Sequence, residues 1–148
     1  MSKSDELPFE LTLHVRDHCL CMHVRRASRA LARRYDEALR PAGLTNGQFS
    51  LLMSLNRPAP PAMGDVAALL AMDRTTLTAN VKPLERRGLI EVTPDAADKR
   101  SRRLSLTMAG RDALIAAVPI WKRAQVENES LVEDIEPDRV RGVLRALS

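Results

Sequence analysis

Every histidine and cysteine of the chain lies within ten residues near its start. On a helix, His14, His18 and Cys21 share one face at spacings i, i+4 and i+7, while Cys19 and His23 form a second pair. Imidazole and thiolate are ligands for zinc and copper, so a metal site is one possible chemistry. The two sets lie on different sides of the helix, and no further Cys or His completes a closed site. We therefore predict no metal and no other cofactor.

Thiol chemistry is the second possibility for this segment. Two side chains that are two positions apart on a helix diverge by about 200°, which disfavours a disulfide between Cys19 and Cys21. Redox sensing needs only one reactive thiol, and Arg25, one turn after Cys21, can favour its thiolate. The alternative is that Cys21 is a small packing residue.

A third set of residues is suited to a polyanion. On a helical wheel, Leu77, Val81 and Leu84 fall within about 60° of one another and predict a buried stripe. The opposite side carries hydroxyl, methyl and cationic groups, from Thr75, Thr78, Ala79, Lys82 and Arg86. Such groups contact thymine methyls, guanine and phosphate, and Arg74 in the first turn can reach a base edge. The pattern indicates a helix that reads the major groove, against the alternative of an ordinary solvated face.

Cationic residues are concentrated again in the turn-rich segment 94–102. Lys99, Arg100 and Arg102 can place long side chains in a narrow, electronegative minor groove. Asp98 precedes Arg100 by two positions, and we expect a bidentate ion pair to orient that guanidinium. Alone, this segment is equally typical of a solubilising loop; behind a DNA-reading helix it indicates a minor-groove contact.

Three short helices must position these groups. Thr45 and Asp73 are N-cap residues, and Gly88 is a C-cap. The predicted helices span 46–55, 63–70 and 73–87. The last two form a helix-turn-helix, and segments 89–93 and 103–107 alternate like the strands of a hairpin, or wing.

Longer helices flank this part. An amphipathic pattern predicts one helix over 13–39, ended by Pro41 and Gly43. Thr107 caps a helix that Pro119 bends or interrupts, and a last helix starts near Pro137.

Composition excludes several classes of protein. The chain has 148 residues, of which 45% are hydrophobic, 28% charged and 3% aromatic, with a net charge of +4. These values predict one folded domain, and the scarcity of aromatics argues against a base-stacking platform. We find no membrane span or signal peptide, so a cytoplasmic protein with reduced thiols is expected. A Gly-rich phosphate loop and a Gly-x-Ser-x-Gly motif are absent, which argues against an enzyme.

Three segments together resemble the MarR family of winged-helix transcriptional regulators. They read GLTNGQFSLL, MDRTTLTANVKPLERRGLI and DAADKRSRRLSLTMAG, and the last has the spaced acids, Asp-x-Arg unit and Leu-Thr-x-x-Gly of the family's wing. The resemblance implies a mainly α fold with a small β-hairpin wing, in which a winged helix-turn-helix core is flanked by N- and C-terminal dimerisation helices. Within a single domain of residues 1–148, the DNA-binding part is 45–107 and the dimerisation helices are 12–40 and 108–148.

The resemblance also implies partners and site residues. The partners would be a second copy of the chain, a pseudo-palindromic double-stranded operator and an unknown small-molecule effector that releases the DNA. The family's recognition-helix contacts correspond to Arg74, Thr75, Thr76, Thr78 and Lys82, and its wing contacts to Asp98 and Arg100.

Three residues depart from the family's pattern. Ala79 stands where many relatives have Arg, which puts the operator sequence in doubt. Ala71 replaces a frequent Gly, so the turn should not depend on a left-handed glycine, and Pro83 should kink the recognition helix.

The first helix resembles that of the organic-hydroperoxide sensors of the same family. Cys21 matches their reactive cysteine and Tyr35 one of its tyrosine partners, but the position of the other tyrosine is Arg25. The sequence thus favours a regulator, expected to be a repressor, that a small molecule releases from DNA. The alternatives are a thiol-based sensor acting through Cys21, or a dimeric ligand-binding adaptor without specific DNA readout.

Overall fold

The computed structural model describes residues 7–148. The chain divides after Arg34 into two compact units. The expectation that no signal peptide is present concerns the N-terminal segment of the chain, part of which lies outside the described residues. None of the helices within 7–148 combines the length and the apolar character that crossing a bilayer requires.

The first two helices replace the single helix predicted over 13–39, and that prediction is wrong. Helix α1 spans Phe9–His18 and α2 spans Leu20–Leu39. Cys19 between them has extended backbone angles, φ −68° and ψ 109°. On either side of the break, the Nδ1 atoms of His18 and His23 donate to the carbonyl oxygens of His14 and Cys19, at 2.8 and 2.7 Å. The Cys19 carbonyl also accepts the backbone N–H of His23 at 3.1 Å, so the side-chain bond is added to that helical bond and does not replace it.

The second unit contains the predicted helix-turn-helix. Its helices are α3 (Asn46–Ser54), α4 (Met63–Leu69) and α5 (Arg74–Arg86). Thr45 caps α3 in a reciprocal capping box with Gln48, and Asp73 caps α5. Gly88 follows α5 with φ +71°, a left-handed C-cap conformation that glycine adopts at no steric cost.

The wing is a two-stranded antiparallel hairpin. Strand β1 spans Ile90–Pro94 and β2 spans Arg102–Leu106, each displaced by one residue from the prediction. Ile90 pairs with Leu106, and Pro94 with Arg102. On the other side of β2, Leu104 donates to the carbonyl oxygen of Pro61 at 3.0 Å, and Ala62 bridges to Arg103. The hairpin is therefore joined to the segment that precedes α4.

Two further helices follow the wing. Helix α6 spans Met108–Glu129 from the predicted N-cap Thr107, and α7 spans Pro137–Ala146. Pro119 does not interrupt α6, and Pro83 does not interrupt α5. Each proline frees one carbonyl, those of Ile115 and Ala79, and both of these residues are exposed. Water can therefore solvate the freed carbonyls without breaking either helix.

The core of the second unit lies beneath the helix-turn-helix. Leu77, Val81 and Leu84 are buried, as the stripe on α5 predicted. They join a cluster with α3, β2 and α6 that includes the fully buried Leu52 and Leu104. This packing fixes which face of α5 points outward.

Ala71 adopts a left-handed conformation in the turn between α4 and α5, with φ +53°. The turn does not depend on a glycine, as expected, but it keeps a left-handed backbone, which an exposed alanine adopts. The N–H groups of Ala71 and Met72 donate to the carbonyls of Ala68 and Ala67. These bonds close the end of α4 and fix the turn, so the β-carbon of Ala71 carries a steric cost of roughly 1 kcal/mol.

We therefore expect Ala71→Gly to raise the midpoint of thermal unfolding by about 2–4 °C. The matched control is Ala68→Gly, at an exposed right-handed position of α4, which should lower it. Thermal denaturation followed by circular dichroism measures both variants. A midpoint lowered equally by the two substitutions would contradict a strained turn.

Candidate nucleic-acid interface

The exposed face of α5 forms a shallow open depression. It is lined by Arg74, Thr75, Thr78, Ala79 and Lys82. Arg86, one turn further along, is also exposed. The predicted major-groove residues of α5 are thus brought together on one outward surface. The buried stripe on the opposite side orients that surface toward solvent.

Two threonines of α5, Thr76 and Thr78, have different roles. The hydroxyl of Thr78 donates to the carbonyl oxygen of Arg74 at 2.8 Å, which leaves its lone pairs and its methyl group for a partner. Thr76 belongs to the cap, since its N–H and its hydroxyl donate to Asp73 at 2.7 and 2.9 Å. These two bonds, led by that from the backbone N–H, lower the pKa of Asp73. The Thr76 hydroxyl is therefore engaged in fixing the first turn of α5.

Asp95 and Arg103 anchor the base of the wing, a role that the sequence reasoning missed. The Arg103 guanidinium pairs with Asp95 at 3.0 Å and donates to the carbonyl oxygen of Pro60 at 2.8 Å. A backbone N–H from Ala97, and then Arg103, lower the pKa of Asp95. The only signal in the sequence is that an acid and a base flank the loop symmetrically.

The prediction of a bidentate ion pair between Asp98 and Arg100 is wrong. The Asp98 carboxylate accepts a hydrogen bond from the backbone N–H of Arg100 at 3.0 Å, and the guanidinium is not its partner. The bond closes a local turn at lower entropic cost than holding a long arginine side chain. Among the described residues, no acceptor pairs with the Arg100 guanidinium. Lys99, Arg100 and Arg102 all remain exposed at the wing.

The candidate sensor residues are divided between the two units. Cys21 and Arg25, both exposed, belong to the first unit, whereas Tyr35 belongs to the second. The Tyr35 hydroxyl donates to Gln125 at 2.5 Å, and burial is the main cause that raises the pKa of Tyr35. The argument against a Cys19–Cys21 disulfide assumed one continuous helix, so the break at Cys19 removes its basis.

Large apolar side chains are exposed in the regions predicted to form a dimer. In the second unit, α7 has no buried residue, and Val143 and Leu147 are 58% and 54% exposed. On α6, Ile115 and Val126 are 63% and 68% exposed. The exposed large apolar residues of the first unit, within the described part of the chain, are Leu7, Phe9, Leu11, Val15, Leu20, Met22, Val24 and Leu31.

These features define a winged helix-turn-helix protein. It has a capped helix-turn-helix, an anchored basic hairpin behind it, and an outward helix face that carries hydroxyl, methyl and cationic groups. The sequence profile of the MarR family matches residues 42–101. M. tuberculosis MosR, solved in complex with DNA, is 43% identical, with a TM-score of 0.80 over 88% of this chain and 93% of that one. The chain belongs to the MarR family of transcriptional regulators.

Two curated relatives carry different descriptions. The transcriptional activatory protein BadR of Rhodopseudomonas palustris is 38% identical over 77 residues, which cover 50% of this chain and 44% of BadR. The transcriptional repressor NicR of Pseudomonas putida is 32% identical over 76 residues, which cover 51% of this chain and 48% of NicR. The matched part thus spans about half the length of these relatives, and the direction of regulation differs between them.

Proposed function

We propose that this protein is a homodimeric repressor that binds a specific pseudo-palindromic operator in double-stranded DNA and leaves it when a small molecule binds. The observation that carries the proposal is the outward face of α5 beside a wing with exposed cations. We place this regulator in the cytoplasm, where its operator DNA would lie.

The proposed DNA-binding surface contacts both grooves of the duplex. We assign base edges in the major groove to Arg74, Thr75 and Thr78, and phosphates to Lys82 and Arg86. Arg100 enters the adjacent minor groove, with Lys99 and Arg102 on its flanking phosphates. Because Ala79 offers only a methyl group, a thymine methyl is its natural contact.

The apolar exposure supports a dimer. Helix α7 has ten residues and no buried side chain, and an isolated helix of that length is only marginally stable in water. A second copy of the chain packed on Val143 and Leu147 would bury its apolar face. Two recognition helices would then meet two half-sites.

The proposal is tested by fluorescence anisotropy with the promoter fragment of the protein's own operon and a random duplex of equal length. We expect the promoter to bind at least about 10³-fold more tightly, and both affinities to fall as salt rises. Equal affinity for the two duplexes would favour the ligand-binding adaptor. Mass spectrometry of small molecules that co-purify with the protein tests the proposed effector.

Arg100→Ala should weaken binding about tenfold at operators with a narrow A·T-rich minor groove and reduce the salt slope by about 1. The reason is that the Arg100 guanidinium, without a partner among the described residues, is available to the groove. The control is Arg139→Ala, on the exposed surface of α7. Affinity that is unchanged at every salt concentration would place the wing away from DNA.

A second candidate function is thiol-based sensing through Cys21. The specific observation is that α2 starts at Leu20, which places Cys21 in its first turn with its thiol exposed to solvent. The Cys21 thiolate would attack an organic hydroperoxide: an S–O bond forms and the O–O bond breaks. The alkoxide leaves and takes a proton from water. Sulfur loses two electrons to the peroxide and becomes a sulfenic acid.

Cys21→Ser should abolish release of operator DNA by hydroperoxide and leave binding by the reduced protein intact. Cys19→Ser is the matched variant two positions away. If it also blocks release, the sulfenic acid condenses with Cys19. If it responds normally, Cys21 acts alone. Release that persists in Cys21→Ser would place the sensor elsewhere, and anisotropy before and after peroxide addition measures all three proteins.

A further inference from the structure

We infer that Gly64 is a positioning residue that sets where the Arg74 guanidinium lies for base readout. The inference rests on the proposed function, because it assumes that Arg74 contacts the operator. Gly64 is in the first turn of α4, and Arg74 is the first residue of α5. The two residues are thus on the two helices of the helix-turn-helix.

The Arg74 guanidinium lies against the bare α-carbon of Gly64. A β-carbon added at Gly64 would be 3.0 Å from Nη2 of Arg74, and 3.9 and 4.0 Å from its Cζ and Nε. The first of these distances is shorter than ordinary van der Waals contact. A β-carbon at position 64 therefore requires the Arg74 guanidinium to move by a few tenths of an ångström.

The backbone does not explain a glycine at position 64. Gly43 and Gly88 are the glycines with positive φ among the described residues, whereas Gly64 lies within a right-handed helix. Glycine in a helix costs stability relative to alanine. At position 64 the absence of a β-carbon leaves the space in which the Arg74 guanidinium lies.

The contact with Gly64 is important for the position of the Arg74 side chain. Among the described residues, the Arg74 guanidinium has neither an ion pair nor a side-chain hydrogen bond, so no polar partner fixes its direction. Base readout by arginine requires two N–H groups in a fixed orientation. A methyl group at position 64 would shift the guanidinium by a few tenths of an ångström without removing any charge.

The test measures specific affinity, random-duplex affinity and thermal midpoint for Gly64→Ala, Arg74→Ala and the double variant. Gly64→Ala should weaken operator binding about tenfold, hardly change random-duplex binding, and leave the midpoint unchanged or slightly higher through helix propensity. The double variant should bind like Arg74→Ala. Gly47→Ala is the control, because a β-carbon there has no neighbour within 4 Å.

The outcomes separate the inference from the proposed function. If Arg74→Ala weakens operator binding and Gly64→Ala does not, the positioning role is overturned and the DNA-binding function stands. A lowered midpoint together with weaker binding to both duplexes would make Gly64 a structural residue, which also overturns it. If Arg74→Ala binds the operator normally, the assumed base contact is wrong and the inference falls with it.

Discussion

Gly110→Ala is expected to lower the midpoint of thermal unfolding by about 10 °C, corresponding to roughly 3 kcal/mol. A β-carbon at this buried position would lie 2.1 Å from the carbonyl oxygen of Leu89, far inside van der Waals contact. The atom that it meets belongs to the backbone, so no side-chain rotation relieves the overlap. The start of α6 must instead move away from the wing.

The bonds around Gly110 explain why this movement is costly. Its N–H donates to the hydroxyl of Thr107 at 3.0 Å, and that hydroxyl donates to the carbonyl of Gly88. The N–H of Thr107 donates to the Leu89 carbonyl at 3.2 Å. Displacing Gly110 therefore strains the α6 cap and the segment that leads into the start of β1 together.

Urea and thermal denaturation of the purified variant test this expectation. Gly47→Ala makes the same chemical change on α3 with no neighbour within 4 Å and should leave stability unchanged or slightly higher. A midpoint of Gly110→Ala within about 2 °C of the parent, in which roughly 0.5–1 kcal/mol is lost, would show that α6 can shift freely.

Val143→Glu is expected to convert the proposed dimer into monomers at micromolar concentration and to weaken operator binding at least about 100-fold. Val143 is 58% exposed on an α7 that has no buried residue, so the substitution costs the single chain little. In a dimer the new carboxylates would be buried without partners, which costs several kcal/mol. A monomer holds one half-site and loses the contribution of the second.

Arg145→Glu is the matched control, because it introduces the same residue two positions later, about 200° around the helix. Analytical ultracentrifugation and anisotropy should find this variant dimeric and bound to the operator. A Val143→Glu protein that keeps the mass of a dimer would place the interface away from α7.

The parts of the fold that could be predicted from the sequence depend on interactions over three or four residues. Thr45, Asp73 and Thr107 each accept a backbone N–H three positions later, and Gly88 provides a left-handed C-cap. Such contacts are encoded by neighbouring residue types, so the helix starts and the hairpin could be located. The outward face of α5 followed from the same periodicity that buried Leu77.

The parts that could not be predicted depend on distant or competing partners. The break at Cys19 has no proline or glycine to mark it and coincides with two imidazole-to-carbonyl bonds. The role of Arg103 requires Pro60 to lie across from the wing, which only the tertiary fold provides. Asp98 had two possible partners near Arg100, and the nearer backbone N–H is the one it binds.

The anchoring of the wing has a consequence for operator architecture. Because Arg103 joins the hairpin base to Pro60, and Leu104 pairs with Pro61, the hairpin and α4 are held at a fixed spacing. The stretch of DNA between the bases read by α5 and the segment read by Arg100 should therefore have one permitted length. Inserting a single base pair there should abolish recognition of the half-site, whereas base changes within that stretch should be tolerated.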